Sequence, residues 1–337
     1  MADNILEVKH LRTHFIGEGG EQVRAVDDLS YTVERGEFCA IIGESGSGKS
    51  VSALSVLRLI PYPPGLIMDG EVNFDGKNLM ELSDDEMEKL RGSEISMIFQ
   101  EASAALNPVM TIGDQIAEAI MTHTKTGDKE AHDKAVELLR MVDIPNPEQR
   151  VKQYPFEFSG GMQQRAMIAM AMSLKPKILF CDEPTTALDV TVQAQVLEQI
   201  NHLRETTGTT IILITHNLGV VARYADSVKI MYGGRIVEEG ETNEIFHHPH
   251  HPYTNGLIKA VPRLDRDGDT LYTIEGEPPN MATIPPDSCA FAPRCKFCDE
   301  ICRTKRPQSV QVGEGRHSCA CHHMKDFGKE ENRDSNA

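Results

Sequence analysis

The amino-acid sequence predicts an α/β fold with a mainly parallel sheet, a helical insert and a small cysteine-containing extension. Three observations support this prediction. A glycine-rich loop at residues 43–50 lies between an apolar strand and a helical run. Further apolar strands alternate with helices after it, and six of the eight cysteines crowd between Cys289 and Cys321. Alternating strands and helices favour a parallel sheet, with helices on both faces.

The first predicted elements are short strands separated by glycines. Apolar segments at residues 5–8 and 31–33 predict strands on either side of a glycine-rich break at 17–20. A further apolar strand at 37–42 leads into the glycine-rich loop, and the run 49–60 has helical spacing. Strand, glycine loop and helix in this order predict the opening of a nucleotide-binding α/β unit.

The next part of the chain reads as a helical insert followed by more strands and helices. Residues 112–142 have helical spacing with many charges, and prolines between residues 145 and 155 punctuate the end of this stretch. Two apolar strands follow at 177–181 and 209–215, separated by a helix through 192–204. This order is typical of strand–helix–strand crossovers.

The domain organisation follows from changes in composition. We expect residues 1–240 to form the main domain, with the helical subdomain at about 101–175. Beyond Gly240, histidines and prolines become frequent, which predicts an appended region over residues 241–324. Residues 325–337 are polar and are expected to form a disordered tail.

The overall charge and hydrophobicity exclude two broad classes. A formal net charge of -17 disfavours a general nucleic-acid binder, which needs a basic face for phosphates. The longest apolar run, seven residues from Ala166 to Met172, is far shorter than the ~20 residues of a membrane-spanning helix. Residues 1–10 lack an apolar stretch of signal-peptide length. We therefore expect a cytosolic protein that reaches the membrane through a partner.

The glycine-rich loop matches the pattern G-x-x-x-x-G-K-[ST]. Its members are Gly43, Glu44, Ser45, Gly46, Ser47, Gly48, Lys49 and Ser50. Glycines let backbone N–H groups wrap phosphates, and the helix that begins near Lys49 points its positive end at them. Lys49 would supply charge to the β- and γ-phosphates, and Ser50 would offer its hydroxyl to Mg²⁺. The flanking strand and helix count against a glycine turn without function.

Two adjacent carboxylates, Asp182 and Glu183, end an apolar strand. Asp182 would hold Mg²⁺ through water, and Glu183 could polarise the attacking water. Two acids at a strand end are more often just a solvated loop. In a chain that also carries a phosphate-binding loop, the catalytic interpretation is favoured.

Residues 158–165 again place glycines before a helical run, and they resemble the signature sequence of ABC ATPases. Phe158 and Met162 depart from the family's usual LSGGQ at its first and last positions. The residues that match the family's γ-phosphate contacts are intact: Ser159, Gly160 and Gly161. The resemblance implies the P-loop NTPase fold of ABC ATPases, with a helical subdomain.

Other elements of the ABC family follow in the expected order. Gln100 matches the Q-loop glutamine, which links Mg²⁺ to the helical subdomain, and residues 186–189 match the D-loop, which crosses the dimer interface. His216 matches the switch histidine that contacts the γ-phosphate. Phe15 is placed to stack on adenine, with a core phenylalanine as the alternative, and Val51 joins the nucleotide-binding set. The catalytic residues that the resemblance implies are Lys49, Glu183 and His216.

The resemblance covers residues 4 to about 322, and its details are those of the oligopeptide, dipeptide and nickel importer branch. The segments 183–195, 251–254 and 289–295 carry this match. It implies an ATPase subunit that energises uptake of di- or oligopeptides or a related solute. A soluble ABC ATPase acting on nucleic acid or ribosomes is disfavoured by the single phosphate loop and the acidic balance. A regulatory binding module is disfavoured by Glu183 and His216.

The branch also implies partners. ATP would be sandwiched between the phosphate loop of one subunit and the counterpart of Ser159 in another. The second ATPase would be a related chain, joined by two integral-membrane permeases and an extracytoplasmic solute-binding protein, with no nucleic acid. We expect residues 101–108 to contact a permease helix at the cytoplasmic face of the membrane.

Four cysteines match the pattern of the branch: Cys289, Cys295, Cys302 and Cys321. Some members with this pattern carry an iron–sulfur cluster, and four thiolates suit either [4Fe–4S] or zinc. We expect iron–sulfur ahead of zinc, with unligated thiols or a disulfide as alternatives. Cys298 and Cys319 are additional. The histidines within residues 247–251 are interpreted as part of a structural linker rather than a nickel site.

Overall fold

The computed structural model describes residues 3–17, 19–185, 188, 190–261, 272–313 and 315–328. The strands are β1 (Asn4–Ile16), β2 (Gln22–Glu34), β3 (Phe38–Ile42), β4 (Gly65–Phe74), β5 (Lys77–Asn78), β6 (Ile95–Ile98), β7 (Ile178–Asp182), β8 (Thr210–Thr215), β9 (Ser227–Tyr232), β10 (Arg235–Glu241), β11 (Val310–Gln311) and β12 (Ser318–Cys319). The α-helices are α1 (Lys49–Val56), α2 (Asp84–Leu90), α3 (Ala102–Ala105), α4 (Ile112–His123), α5 (Asp128–Met141), α6 (Pro147–Arg150), α7 (Gly160–Ala171), α8 (Val190–Thr207), α9 (Leu218–Tyr224), α10 (Thr242–His247), α11 (Pro252–Lys259) and α12 (Glu300–Thr304). Short 3₁₀ helices lie at Pro155–Glu157 and Ala292–Arg294.

The chain divides into two compact units. The first comprises Met1–Val33, Glu37–Met80 and Thr215–Ala337, and the second comprises Glu34–Gly36 and Glu81–Ile214. These units cut across the boundary at residue 240 that the sequence suggests, and that boundary stays a prediction.

The first unit contains two sets of paired strands. One is a four-stranded sheet in the order β2-β1-β4-β5, in which β1 and β4 run antiparallel with an irregularity between Lys9 and Arg12. In the other set, β11, β12, β10, β9 and β3 are neighbours in that order. Only the β3–β9 pair among these is parallel, and the remaining pairs are antiparallel.

The core of the first unit joins the central strands to the region beyond residue 240. Ile42 on β3 and Ile230 on β9 are buried in one cluster with Tyr253 and Phe291. The rings of Tyr232 and Tyr253 meet edge to face at 4.5 Å between centroids. Burial of large aromatic side chains supplies much of the stability of such a core. The cysteine-containing extension is therefore packed into the same core as the strand that leads into the phosphate loop.

The second unit is built from parallel strands and helices. The strands β6, β7 and β8 pair in parallel in this order, as the alternating sequence pattern predicts. Helices α4, α5 and α7 pack on one another and form the helical insert. Ile112, Ile116 and Ile120 bury one face of α4, at the spacing of an amphipathic helix. Within the described residues, no helix combines the length and apolar character that a membrane crossing requires.

Several elements differ in extent from the sequence-based expectation; for example, the strand expected at residues 31–33 is part of the 13-residue β2. Helix α1 ends at Val56 rather than near residue 60. Arg58 takes a left-handed conformation with φ +52°, and Leu59 N–H donates to Leu54 O at 2.8 Å, which closes the helix end. The strand expected at residues 5–8 is part of the 13-residue β1. The longer strand was missed because buried and polar side chains alternate beyond Val8, without a continuous apolar run.

Candidate functional site

The phosphate loop connects the fully buried strand β3 to helix α1. Gly48 has φ +100°, and a Cβ atom there would lie 2.1 Å from the carbonyl oxygen of Ala25. A Cβ atom on Gly43 would lie 2.1 Å from the carbonyl oxygen of Met231. The left-handed backbone at Gly48 and the close approach at both positions exclude a side chain. The surrounding strands thus hold the loop in one shape.

Several groups of the loop are suited to an anion. The Lys49 side chain is buried, and its Nζ donates to the carbonyl oxygens of Gly43 at 2.8 Å and Glu44 at 2.9 Å. The buried Ser47 Oγ has no hydrogen-bond partner among the described residues. Gly48 is the N-cap of α1 and brings no side-chain cap to the first N–H groups. An ammonium group, an unsatisfied hydroxyl and a helix N-terminus together make a phosphate-binding arrangement.

Phe15 and His216 belong to the same unit as the phosphate loop. Phe15 is half-buried near the end of β1, where it pairs with Gly65 on β4. This placement is compatible with either interpretation of Phe15. His216 is exposed and directly follows β8. The next residue, Asn217, caps α9 by accepting N–H groups from Gly219 and Val220.

In the second unit, Asp182 and Glu183 lie at the end of β7, as predicted. Asp182 is buried, with 5% of its surface exposed. Glu183 adopts φ +43°, which is uncommon for a residue with a side chain, and its N–H donates to Ile214 O at 2.9 Å. Backbone strain of this kind clusters at functional sites. Gln100 lies beyond β6, and its Nε2 donates to Glu183 Oε2 at 3.4 Å, so two predicted site residues meet.

The signature segment forms the start of α7. Ser159 is the N-cap, and its Oγ accepts the N–H of Met162 at 3.4 Å. Gly160 is exposed, and a Cβ atom built on it would find no described residue within 4 Å apart from its own helix backbone and chain neighbours. Phe158 is buried and replaces the leucine that is usual in the family. Of the predicted D-loop, Thr186, Ala187 and Asp189 lie outside the described residues.

Comparison with known proteins identifies the chain. Residues 26–186 match the ABC transporter family, and residues 237–302 match the C-terminal region of oligopeptide/dipeptide transporters. Over 311 residues the chain is 49% identical to the oligopeptide transport ATP-binding protein OppD of Bacillus subtilis (strain 168), covering 92% of this chain and 86% of that protein. The chain belongs to the ATP-binding subunits of peptide ABC importers.

Other relatives support the same assignment to the ATP-binding subunits of ABC transporters. The dipeptide transport ATP-binding protein DppD of Bacillus subtilis (strain 168) is 48% identical over 303 residues, covering 89% of this chain and 90% of the relative. The dimeric structure of MJ0796, a bacterial ABC transporter cassette, superposes with a TM-score of 0.64 at 28% identity, covering 70% of this chain and 98% of the cassette. The same cassette is known in a dimeric post-hydrolysis state bound to ADP and Pi, with a TM-score of 0.63, 27% identity and coverage of 70% and 98%.

These similarities confirm the P-loop NTPase ABC-ATPase fold and the expected activity. The chain is an ATPase that uses ATP and Mg²⁺ and energises an ABC importer. Such a subunit works with membrane permeases and a solute-binding protein. The alternative of a soluble ABC ATPase acting on nucleic acid or ribosomes is not favoured by these relatives.

The four cysteines of the ABC subunit's extension lie near one another. Burial, and after it the neighbouring thiols of Cys289, Cys295 and Cys302, raise the pKa of the Cys321 thiol to about 12. Burial raises the pKa of Cys289 to about 11. The Sγ atoms of Cys295 and Cys321 accept backbone N–H groups at 3.4 Å and 3.3 Å. Backbone N–H donors to sulfur also stabilise thiolates that bind metal.

The two additional cysteines differ from these four. Cys319 is fully buried in β12 between β10 and β11. Cys298 lies near Cys295 and Cys302 and raises the pKa of both thiols, after the larger effect of burial. Among the described residues, the compact groups of ligand atoms within 4.8 Å are Glu238 with His250 and His317, and Asp299 with Cys302 and His323. The four matching cysteines do not form such a group within these ranges.

Two residues that contact the phosphate loop were not assigned a role from the sequence. The Arg294 guanidinium and the Tyr253 hydroxyl both hydrogen-bond to Glu44. Both lie in segments that carry the match to the importer branch, which is the signal that could have drawn attention to them. The spacing of 250 residues between Glu44 and Arg294 gave no hint of their pairing.

Proposed function

We propose that this ATPase powers the import of di- or oligopeptides and hydrolyses ATP in sites shared with a second, related ATPase. The phosphate loop carries the proposal, because it combines a buried ammonium group with glycines that no other residue can replace. The peptide substrate class is supported by the names of the relatives, which are oligopeptide and dipeptide transport proteins. We place the subunit at the cytoplasmic face of the membrane, beneath its permeases.

The proposed roles divide between binding and catalysis. Lys49 leaves the loop carbonyls to contact the β- and γ-phosphates, and Ser50 with Asp182 holds Mg²⁺. Glu183 polarises the attacking water. Gln100, whose amide donates to the Glu183 carboxylate, links Mg²⁺ to the helical subdomain. The remaining roles are assigned by resemblance: Phe15 stacks on adenine, residues 43–51 wrap the phosphates, and His216 contacts the γ-phosphate.

The signature residues act on the nucleotide of the partner subunit. Ser159 and Gly160 are exposed, and the space beside Gly160 is open among the described residues, which leaves room for a phosphate from another chain. ATP binding would close the pair and hydrolysis would reopen it. Residues 101–108 are proposed to pass this motion to a permease helix. Residues 1–240 with the subdomain at 101–175 would form the ATPase domain, and 241–324 the extension.

We further propose that the extension binds a metal through its four matching cysteines: Cys289, Cys295, Cys302 and Cys321. Two observations support a cation that stabilises the thiolates: Cys289 N–H donates to Cys302 O at 2.8 Å, which brings these two residues together, and backbone N–H groups donate to the Sγ atoms of Cys295 and Cys321. A [4Fe–4S] cluster is preferred and zinc is the alternative. The group would hold together a segment with little apolar material of its own.

A pair of substitutions tests the ATP site. In Lys49→Ala the charge facing the phosphates is lost, and equilibrium binding of ATP should weaken by at least roughly tenfold. In Glu183→Gln binding should persist, while turnover falls by at least roughly tenfold, leaving closed, ATP-bound pairs. Wild-type hydrolysis by Glu183→Gln would remove this residue from its role. Unchanged ATP affinity in Lys49→Ala would contradict the phosphate-loop assignment.

The substrate class is tested with the assembled transporter in proteoliposomes. ATP-dependent uptake of labelled di- and oligopeptides is expected, and it should be absent in a complex that carries Glu183→Gln. Uptake of nickel in place of peptides would overturn the proposed substrate. The metal is tested separately by elemental analysis and the visible spectrum of anaerobically purified protein. Broad visible absorbance that disappears in Cys289→Ser, but persists in Cys319→Ser, supports iron–sulfur, whereas stoichiometric zinc without colour supports the alternative.

A further inference from the structure

Arg294, in the cysteine-containing extension, forms an ion pair with Glu44, the second residue of the phosphate loop. Its Nη1 donates to Glu44 Oε2 at 2.6 Å, and its Nη2 donates to Glu44 Oε1 at 3.1 Å. The two parallel bonds form a bidentate pair, the strongest geometry for an arginine and a carboxylate. The Arg294 side chain is only 5% exposed, and that of Glu44 is 23% exposed. This pair therefore differs from the exposed ion pairs that contribute little.

The guanidinium of Arg294 is itself held in place. Its Nε donates to Glu275 O at 3.0 Å, Nη2 to Ile274 O at 3.4 Å and Nη1 to the Tyr232 hydroxyl at 3.4 Å. With the two bonds to Glu44, each nitrogen of the group has an acceptor. An arginine whose planar fork is fixed in this way loses little further entropy when it holds a carboxylate.

Tyr253 holds Glu44 from a second direction. Its hydroxyl accepts the backbone N–H of Glu44 at 2.9 Å. Burial raises the pKa of Tyr253, so the hydroxyl stays neutral. The Tyr253 ring packs at 5.4 Å from Phe291, which begins the turn that presents Arg294. The carboxylate and the N–H of Glu44 are thus both anchored by residues beyond 240.

We propose that Arg294 is a positioning residue for nucleotide binding, which acts by fixing and neutralising Glu44. The inference rests on the proposed assignment of residues 43–50 as the phosphate loop. Glu44 places a negative charge inside a loop that must take up a polyanion. Pairing with Arg294 offsets that charge and keeps the Glu44 main chain, whose carbonyl oxygen accepts from Lys49, in place. The extension thereby sets the affinity of the ATPase for ATP.

The first test measures ATP affinity and kinetics in the assembled transporter. Arg294→Ala should raise the Kd and KM for ATP about tenfold while kcat at saturating ATP changes little, because binding rather than chemistry is affected. Arg294→Lys keeps the charge but loses the planar, two-pronged geometry of the guanidinium. Its Kd for ATP should therefore lie between those of the wild type and Arg294→Ala. Lys296→Ala is the matched control, since it also removes a positive charge from this segment. The side chain of Lys296 is 60% exposed. An unchanged Kd in Arg294→Ala overturns the proposal.

A double-mutant cycle separates this role from a purely structural one. Glu44→Gln removes the charge that Arg294 neutralises, so Arg294→Ala should cost less than about twofold in ATP affinity in that background. An equal loss in both backgrounds would mean that Arg294 does not act through Glu44, and would overturn the proposal. If Arg294→Ala fails to fold, the comparison is made with Arg294→Lys, where the same dependence on Glu44 is expected.

Failure of this inference can be told apart from failure of the proposed ATP site. If Lys49→Ala lowers ATP affinity and Arg294→Ala does not, residues 43–50 remain the phosphate loop and only the role of Arg294 is refuted. If Lys49→Ala leaves affinity unchanged, the assignment of the loop falls and the inference falls with it.

Discussion

The phosphate loop and the signature segment are both glycine-rich starts of a helix, yet their surroundings differ. Around the phosphate loop, added Cβ atoms on Gly43 and Gly48 would collide with backbone at 2.1 Å. Around the signature, Gly160 lies exposed, and an added Cβ atom there would meet no residue within 4 Å in the described part of the chain outside its own helix. The N-terminus of α7 is capped by the Ser159 hydroxyl, whereas α1 has no side-chain cap. Glycine therefore avoids a collision with the chain's own backbone in the phosphate loop, whereas it leaves an open surface at the signature.

The difference agrees with the proposal that the two segments supply opposite halves of a shared ATP site. The phosphate loop is shaped by its own chain, so glycine is required there by contacts within the folded subunit. At the signature, nothing in the described part of the subunit requires glycine at position 160, which agrees with the proposed contact between this segment and the nucleotide of a partner subunit. The signature glycine is therefore expected to matter only when nucleotide and a partner subunit are present.

Matched alanine substitutions test this comparison and have the largest expected effect. Gly48→Ala introduces a collision with Ala25 O and a side chain at φ +100°, so we expect loss of ATP binding by more than about tenfold and a lower Tm. Gly160→Ala should keep the Tm and ATP affinity of the isolated subunit and lower hydrolysis only in the complex. Thermal unfolding and ATP titration of the two isolated variants measure these effects. Equal losses of Tm and ATP affinity in the two variants would contradict the proposed difference between the segments.

A smaller effect is expected from pH at the helix that carries Tyr253, the tyrosine that binds the phosphate loop. His251 caps α11, the helix that carries Tyr253, by accepting the Tyr253 N–H at 3.0 Å. Burial lowers the pKa of His251 to about 4. The unfolded chain therefore binds a proton near the ordinary pKa of 6.5 while the folded chain does not. The contribution of His251 to stability is present above pH ~6.5 and is lost as pH falls from there towards about 4.

The measurement is Tm against pH for the wild type and His251→Asn, which keeps an acceptor at the helix cap. At pH 5, His251 should lower the free energy of unfolding of the wild type by about 2 kcal/mol relative to its value at neutral pH. The Tm of His251→Asn should accordingly fall less between pH 7.5 and 5. Identical slopes for the two proteins would contradict the assignment of a neutral, buried His251.

The smallest effect is expected at the signature cap. Ser159→Ala removes the hydroxyl that accepts the N–H of Met162, and loss of such a cap costs about 1 kcal/mol. We expect a slightly lower Tm for the isolated subunit, measured by calorimetry, with unchanged ATP affinity. A loss of ATP affinity in the isolated subunit would show that Ser159 serves its own nucleotide, contrary to the comparison.

The parts of the site that could be predicted from the sequence are those encoded by local spacing. Glycines between a strand and a helix located Lys49, and the apolar run of β7 placed Asp182 and Glu183 at a strand end. The contact between Gln100 and Glu183 joins residues that are 83 positions apart in the sequence. The order of the motifs assigned both residues to the ATP site but did not indicate that their side chains touch.

The parts that could not be predicted depend on the path of the chain in space. Arg294 is a surface residue type in a proline-rich segment, and only the folded extension brings it to Glu44 with 5% of its side chain exposed. The full length of β1 was missed for a different reason. Its alternating polar residues resemble a loop when read as composition, although alternation is what a half-buried strand requires.

The common core of the extension and β3 has a consequence for chimeric transporters. A chain cut after Gly240 would leave Ile42 and Ile230 without the cover of Tyr253 and Phe291, at a cost of about 1.5–3 kcal/mol for each large side chain left in water. A cassette taken from this protein should therefore be exchanged together with its extension. Swapping extensions between related subunits is expected to require the matching residue at position 44 of the recipient.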